Sequence, residues 1–247
     1  MRIVCIIPSR YGSSRFPGKP LADLCGKPML QHVYERVLRV ASVTDAVVAT
    51  DDQRIFDTVL QFGGQAVMTA DRHRSGTDRL AEAATVLGLD DNDIVVNIQG
   101  DQPLFEPLQI DEVVAPLLAD PSIPMSTLIY RIVREEEINH PNAVKAVFDR
   151  DFFALYFSRA TIPYDRDHSH EVHYYKHHGI YAYRRHFLET FSTLPQSPLE
   201  KLEALEQLRA LECGYRIKMV ETAYDSVEVD TPAELARVRN ILLNGTA

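Results

Sequence analysis

Ile3-Val-Cys-Ile-Ile-Pro-Ser-Arg-Tyr-Gly-Ser-Ser-Arg-Phe-Pro-Gly-Lys19-Pro-Leu21 is the stretch that decides the fold. Its first five residues are apolar, which predicts a buried strand, and the loop that follows carries Arg10, Arg15 and Lys19. A buried strand that ends in clustered cations typically delivers them to a polyanion, and a triphosphate is the first candidate. A solvated basic loop between a strand and a helix is the simpler interpretation.

Two common phosphate-binding motifs do not fit this loop. Gly12 and Gly18 are separated by five residues, one more than the Walker A spacing allows, and Pro20 stands where Ser or Thr would hold magnesium. The dinucleotide fingerprint Gly-x-Gly-x-x-Gly does not follow Ile7 either. The loop is therefore a candidate phosphate site of a different class.

Apolar runs alternate with helical patterns through the first half of the chain. The predicted strands are residues 3–7, 46–49, 66–68 and 94–98. The predicted helices are residues 29–40, 54–62 and 77–87. This rhythm predicts an α/β fold with a mostly parallel sheet.

The second half of the chain has a different character. Strands are predicted over residues 126–132, 143–148 and 175–183, and helices over 198–212 and 232–243. Leucines at 199, 202, 205, 208 and 211 form the apolar stripe of the first of these helices, which places Glu206 and Gln207 on its solvated face. We expect one domain over residues 1–247, with a mixed lobe at about 126–183 as the place for a partner surface.

Bulk composition agrees with an intracellular globular protein. A chain of 247 residues that is 45% hydrophobic and 25% charged can bury a sizeable core without disulfides. Cys5, Cys25 and Cys213 share no close spacing, which argues against a disulfide framework and predicts a reducing cytoplasm. No apolar run approaches the roughly 20 residues of a membrane span. The net charge of −9 disfavours nucleic-acid partners.

Three loops follow predicted strands and should form one rim, because ligands bind at the carboxyl ends of parallel strands. They are residues 10–19, 69–75 and 99–102. In the second loop, Ser75 or Thr77 either caps a helix or helps present free amides to a ligand. In the third, Asp101 either holds Mg²⁺ or makes a turn before Pro103.

A second isolated carboxylate lies near the end of the chain. Asp230 follows an alternating apolar pattern that predicts a strand, and a helix opens at Pro232. From the residues alone, Asp230 or Thr231 could simply cap that helix.

Several motifs carry a family resemblance that runs the length of the chain. They include residues 8–21, Arg74-Ser-Gly-Thr-Asp-Arg-Leu-Ala81, Val96-Asn-Ile-Gln-Gly-Asp-Gln-Pro103, Tyr156-Phe-Ser-Arg-Ala-Thr-Ile-Pro163, His178-Gly-Ile-Tyr181, Leu205-Glu-Gln-Leu-Arg209 and Val229-Asp-Thr-Pro232. In this order they resemble the sugar nucleotidyltransferases, specifically the cytidylyltransferases that activate 3-deoxy-manno-octulosonate (KDO). The resemblance implies a Rossmann-like nucleotidyltransferase fold with a mixed region for dimerisation and sugar binding.

The resemblance also implies roles for individual residues. The nucleotide-binding positions are Arg10, Ser13, Arg15, Lys19, Arg74, Ser75 and Gln99. The catalytic positions are Arg10, Lys19, Asp101 and Asp230, of which Asp101 and Asp230 hold one or two Mg²⁺ ions. The sugar-binding positions are Arg159, His177, Tyr181, Glu206 and Gln207, with the Arg159 guanidinium suited to a carboxylate. Where the family usually has Glu after the first aspartate, this chain has Gln102, which puts any metal role of that position in doubt.

The implied reaction transfers CMP from CTP to the anomeric hydroxyl of KDO and releases pyrophosphate, as a step toward lipopolysaccharide. A homodimer is implied as well. Related acceptors remain open at this point: 8-amino-KDO, sialic acid and 2-C-methylerythritol phosphate. A nucleotide-binding sensor that has lost turnover is the rival outside enzymes, and the joint presence of Lys19, Asp101 and Asp230 argues weakly against it.

Overall fold

The first strand of the chain, β1 (Ile3–Ser9), lies inside the sheet and is buried on both faces. The computed structural model describes residues 1–12, 16–73, 75–167 and 171–244. Successive side chains of a strand point to opposite faces, so Val4 and Ile6 join one apolar core while Cys5 and Ile7 join another. A continuous apolar run is the sequence of a strand covered on both sides.

The remaining elements follow in chain order. The strands are β2 (Asp23–Leu24), β3 (Lys27–Pro28), β4 (Asp45–Thr50), β5 (Gln65–Met68), β6 (Ile94–Asn97), β7 (Met125–Arg131), β8 (Lys145–Phe148), β9 (Ala154–Ser158), β10 (Tyr175–Arg184) and β11 (Ile217–Glu221). The helices are α1 (Met29–Val37), α2 (Gln53–Gln61), α3 (Gly76–Val86), α4 (Leu108–Ala119), α5 (Glu135–Ile138), α6 (Arg185–Thr193), α7 (Pro198–Glu203), α8 (Leu208–Glu212) and α9 (Pro232–Asn244). A 3₁₀ turn spans Lys19–Leu21.

Strand order in the main sheet is β11-β7-β10-β6-β1-β4-β5. The β6-β1-β4-β5 half is parallel throughout, and β11 is parallel to β7, so the prediction of a mostly parallel α/β sheet is confirmed. Only β10 runs against its neighbours β6 and β7 on this path through the described strands. The chain leaves β1 toward β4 on one side and returns to β6 on the other, which makes the β1–β6 edge the expected place for a ligand.

Helices cover both faces of the sheet. One core contains apolar residues of α3, α6 and α8, and the other contains those of α1, α2 and α4. A third, smaller core joins Leu24 and Met29 to Val229, Leu235 and Val238. Because of this third core, α9 packs against the β2–β3 hairpin and brings the end of the chain back to the first loop.

The sequence predictions for the second half need two corrections. The helix predicted over 198–212 is two short helices, α7 and α8, because Ala204 has a left-handed backbone at φ 51° and ends the first one. The strand predicted before Asp230 is absent, and residues 222–230 have no regular structure. Over the whole of the described chain, the predictions also omitted the β2–β3 hairpin, β9, β11, α4, α5 and α6.

Residues 126–183, which the sequence assigns to a mixed lobe, do not form one separate unit. β7 and β10 are interior strands of the main sheet, whereas β8 and β9 branch from β10 as a hairpin extension. The part of the range that lies off the main strand path of the sheet is therefore residues 132–167 and 171–174. Among the described residues, no helix is long and apolar enough to span a membrane.

Candidate active site

Lys19 lies between two carboxylates that come from distant parts of the chain. Its Nζ is 2.6 Å from Asp101 Oδ2 and 3.0 Å from Asp230 Oδ1. Burial lowers the pKa of Lys19, but the two carboxylates outweigh burial and the pKa is raised overall. The two aspartates predicted to share a metal thus converge on one cation.

Asp230 reaches this position through backbone contacts and packing. The Val229 amide donates to the Asp101 carbonyl oxygen at 2.9 Å, and the Val229 side chain is buried in the third core. Thr231 Oγ1 accepts from the Glu234 amide at 3.3 Å, so Thr231 takes the role of a helix cap. Glu234 in turn accepts from the Asp230 amide. The Asp230 carboxylate is thereby left to face Lys19.

A cleft of about 320 Å³ surrounds these charges at the carboxyl ends of β1 and β6. Its lining includes the predicted residues Arg10, Lys19, Ser75, Gln99, Asp101 and Asp230. Ser75 Oγ also accepts from the Asp78 amide at 3.1 Å, so it caps α3 while it lines the cleft. The predicted nucleotide contacts Ser13, Arg15 and Arg74 lie outside the described residues.

Close backbone approach shapes the floor of the cleft. A Cβ on Gly100 would lie 2.8 Å from Ser9 Oγ and 3.5 Å from the Pro8 carbonyl oxygen. Only glycine allows the end of β6 to pass this near the end of β1. Ser9 Oγ is buried and has no hydrogen-bond partner among the described residues, which leaves it available to a ligand in the cleft.

Arg79 and His73 are cleft residues to which the sequence assigned no role. Arg79 is almost fully buried and is held by a hydrogen bond to Thr69 and an ion pair with Asp51 at 2.9 Å. His73 contacts Glu82 through its Nε2. Arg79 lies one helical turn beyond Ser75, so its position within the motif that begins at Arg74 was a usable signal.

A smaller pocket of about 100 Å³ adjoins the cleft, and Gly76 and Gln99 line both. We call it the side pocket. Its lining brings together the predicted sugar contacts Tyr181, Glu206 and Gln207, and adds Thr77, Asn97, Tyr183 and Phe191.

Glu206 and Gln207 do not lie on the solvated helix face expected from the sequence. The break at Ala204 turns the chain, and Gln207 is 5% exposed. Burial raises the pKa of Glu206, opposed by the hydrogen bond that Thr77 donates to its carboxylate at 2.6 Å. Burial also raises the pKa of Tyr181, so its hydroxyl stays protonated. The side pocket is therefore lined mainly by polar side chains, beside the rings of Tyr181, Tyr183 and Phe191.

Arg159 and His177, the other two predicted sugar contacts, do not line the side pocket. The Arg159 guanidinium donates to three backbone carbonyls, those of Pro141, Glu203 and Ala204. His177 packs against the Tyr181 ring at 5.2 Å but lines a separate cleft of about 400 Å³. Burial lowers the pKa of His177 to about 3, which keeps the ring neutral.

Glu228 is a third carboxylate near the metal candidates. It accepts a hydrogen bond from Gln102 Nε2 at 3.2 Å, so Gln102 faces a carboxylate rather than adding one. Crowding by protein atoms, with the negative charges of Asp101 and Asp230, raises the pKa of Glu228 to about 7, although the residue is exposed and lines the separate cleft of about 400 Å³. Within the described parts of the chain, no three His, Cys, Asp or Glu residues are arranged to hold a metal.

Comparison with known proteins identifies the group to which this architecture belongs. The model of a family described as cytidylyltransferase matches residues 4–217. The chain belongs to the cytidylyltransferase family. The match contains Lys19 and Asp101 and ends before Asp230. The assignment of Asp230 to the site therefore depends on its contact with Lys19.

Individual cytidylyltransferases are similar over their full length. The 3-deoxy-manno-octulosonate cytidylyltransferase of Syntrophus aciditrophicus (strain SB) is 74% identical over 242 residues, which cover 98% of each chain. The 8-amino-3,8-dideoxy-manno-octulosonate cytidylyltransferase of Shewanella amazonensis (strain ATCC BAA-1098 / SB2B) is 54% identical and covers 98% of this chain and 99% of its own. A structure of CMP:2-keto-3-deoxy-manno-octonic acid synthetase complexed with CTP superposes with a TM-score of 0.94 at 46% identity, covering 99% of this chain and 100% of its own.

Proposed function

We propose that this cytidylyltransferase transfers CMP from CTP to the anomeric hydroxyl of 3-deoxy-manno-octulosonate. The observation that carries the proposal is full-length identity of 74% to a relative of that name, together with a charged cleft at the β1–β6 edge. The 2-hydroxyl oxygen of the sugar acid forms a bond to the α-phosphorus and loses its proton. The bond from that phosphorus to the bridging oxygen breaks, and pyrophosphate leaves.

The cations of the cleft account for charge stabilisation in this reaction. Negative charge builds on the phosphate oxygens as pyrophosphate departs, and fixed cations stabilise that charge where water is excluded. Lys19 and Arg10 line the cleft, and the resemblance assigns them to the α-phosphate and the departing pyrophosphate. The Lys19 ammonium contacts both aspartates, and it would exchange these partners for phosphate oxygens when magnesium takes the position between the two carboxylates.

Asp101 and Asp230 fit a magnesium ion. The Lys19 ammonium lies between them, which marks the position as one that attracts a cation, and carboxylate oxygens are the ligands magnesium prefers. Bound there with the phosphates, magnesium would neutralise triphosphate charge and acidify the sugar hydroxyl. The protein holds the two carboxylates near each other through the hydrogen bond from the Val229 amide to the Asp101 carbonyl oxygen.

The side pocket is the proposed binding site of the acceptor sugar. It opens beside Gln99, which also lines the nucleotide cleft, so an acceptor there would adjoin the nucleotide. Tyr181, Glu206 and Gln207 supply hydroxyl, carboxylate and amide groups suited to a polyhydroxy acid. Arg159 and His177 remain proposed sugar contacts because the resemblance assigns them that role. The 8-amino sugar remains an alternative acceptor, since a similar protein is named for it.

The proposal includes the setting of the enzyme. A homodimer and a place in lipopolysaccharide synthesis follow from the resemblance, and a cytoplasmic location follows from the cysteine pattern. The β8–β9 hairpin, which extends from the sheet and exposes Leu155, is the proposed dimer surface. Light scattering after size-exclusion chromatography tests the dimer directly, because a monomer mass near 28.0 kDa would contradict it.

One assay tests the reaction and its rivals. Pyrophosphate release is measured with each of the four ribonucleoside triphosphates and with KDO, 8-amino-KDO, sialic acid and 2-C-methylerythritol phosphate, with and without magnesium. We expect release with CTP, KDO and magnesium. Release only with another acceptor would reassign the substrate. CTP binding without release under any condition would support a nucleotide sensor instead.

A further inference from the structure

The side pocket contains polar atoms that the protein leaves without hydrogen bonds. Asn97 Oδ1, Glu206 Oε1 and Gln207 Nε2 are each buried and have no hydrogen-bond partner among the described residues. All three residues line the side pocket. Buried polar atoms are nearly always satisfied, so three such atoms around one cavity indicate a ligand that supplies the missing partners.

Asn97 is the member of this group that the family motifs did not assign. It is the last residue of β6, is 2% exposed, and pairs in register with Tyr181 of β10. Gln99 lies two residues further along the chain and also lines the pocket. Asn97 therefore lines the side pocket beside Tyr181, one of the proposed sugar contacts, and lies two residues before Gln99, which also lines the nucleotide cleft.

The charges around the pocket favour a neutral ligand group. One oxygen of Glu206 accepts from Thr77, and the other lies 3.6 Å from the Arg209 guanidinium. A substrate ammonium at that second oxygen would lie beside the positive charge of Arg209. A hydroxyl both donates and accepts, so it can satisfy an amide and a carboxylate without adding charge.

We propose that Asn97 is a specificity-determining residue that binds a hydroxyl of the acceptor, acting with Glu206 and Gln207 on a neutral polyhydroxyl segment. This inference rests on the proposed function, because the occupant of the side pocket is taken to be the sugar acid. It adds Asn97 to the residues that select the acceptor and specifies hydroxyl groups as what the pocket recognises.

The test compares wild type with Asn97→Leu, which keeps the branching at Cγ, is somewhat larger and removes the amide. The measurement is pyrophosphate release with KDO and with analogues that lack one hydroxyl each. We expect the KM for KDO to rise by about tenfold or more in the variant, with the KM for CTP unchanged. We also expect one deoxy analogue to have a higher KM than KDO in wild type, and the two KM values to become similar in the variant.

Ser126→Ala is the matched control, because Ser126 is also buried in the sheet and its hydroxyl donates to the Val113 carbonyl. It should lower the melting temperature and leave the KM for KDO unchanged. If Asn97→Leu does not fold, Asn97→Ser provides the same comparison. A wild-type KM for KDO in a folded Asn97 variant overturns this inference alone. No turnover of KDO by wild type overturns the proposed function and this inference with it.

Discussion

The backbone amide of Val229 donates to the carbonyl oxygen of Asp101 at 2.9 Å and so joins the loop after β6 to the segment that enters α9. Each of these segments carries one of the aspartates that contact Lys19. The bond is between backbone atoms, and it is flanked by the buried side chain of Val229. Two acidic groups from distant parts of the sequence are therefore held together by the fold itself.

Replacing Lys19 should reduce turnover strongly. Lys19→Met removes the ammonium and keeps most of the side-chain length, so we expect a loss of about 10² or more in kcat, the scale for removing a charge stabiliser. Removal of the ammonium also leaves Asp101 and Asp230 close together without their shared cation. Magnesium should then raise the melting temperature of Lys19→Met more than that of wild type. Equal magnesium effects on both proteins, or near-wild-type kcat, would exclude this role.

A side chain at position 100 should disturb the cleft. In Gly100→Ala the new Cβ would lie 2.8 Å from Ser9 Oγ, and we expect a loss of about 1–3 kcal/mol in the free energy of unfolding, with lower kcat. Ser9→Ala removes the colliding oxygen, so the double variant should recover part of the stability. Chemical denaturation of the four proteins measures this coupling. Additive losses in the double variant would contradict it.

The turn at Ala204 should control acceptor binding. A β-branched residue is strained at φ 51°, so Ala204→Val should lower the free energy of unfolding by about 1–2 kcal/mol and raise the KM for KDO by displacing Glu206. Ala204→Gly adopts this backbone freely and serves as the control, with the KM for KDO close to wild type. A higher KM for KDO in Ala204→Gly than in Ala204→Val would argue against a role for the turn.

The lowered pKa of partly buried His177 should make the free energy of unfolding fall in acid. Its pKa is about 3 in the folded protein against 6.5 as the ordinary value, so the unfolded chain binds the proton more tightly. Stability is therefore lost as the pH decreases from about 6.5 toward 3, by at most about 1.4 kcal/mol per pH unit for one proton. His177→Gln should show a shallower decline in melting temperature between pH 6.5 and 4. Parallel declines in the two proteins would refute the linkage.

Much of the fold could be predicted because its strands are unbroken apolar runs. Residues 3–7 and 94–98 correspond to β1 and β6, whose side chains fill both cores. The sequence around Ala204 could not reveal the helix break, because alanine is a strong helix former and the leucine stripe continues through it. Packing of the two short helices, rather than local preference, determines that conformation.

Some residues of the candidate site could also be predicted from the sequence, and others could not. Lys19 and Asp101 follow predicted strands within recognisable motifs, so the sequence alone indicated both. Asn97 lies inside an apolar run and looks like an ordinary strand residue until the pocket beside it is known. Glu228 alternates with Val227 and Val229, but this segment does not form the strand that the alternation predicts, so the pattern did not reveal what surrounds the Glu228 side chain.

The most direct test of the account is a double-mutant cycle on the two aspartates. Pyrophosphate release from CTP and KDO is measured for Asp101→Asn, Asp230→Asn and the double variant, with exposed Asp57→Asn as the control. If both carboxylates serve one cation site, each single variant should lose about 10² or more in kcat, and the double variant should lose little beyond the worse single one. Losses that multiply, or single variants with kcat near that of Asp57→Asn, would contradict the shared site.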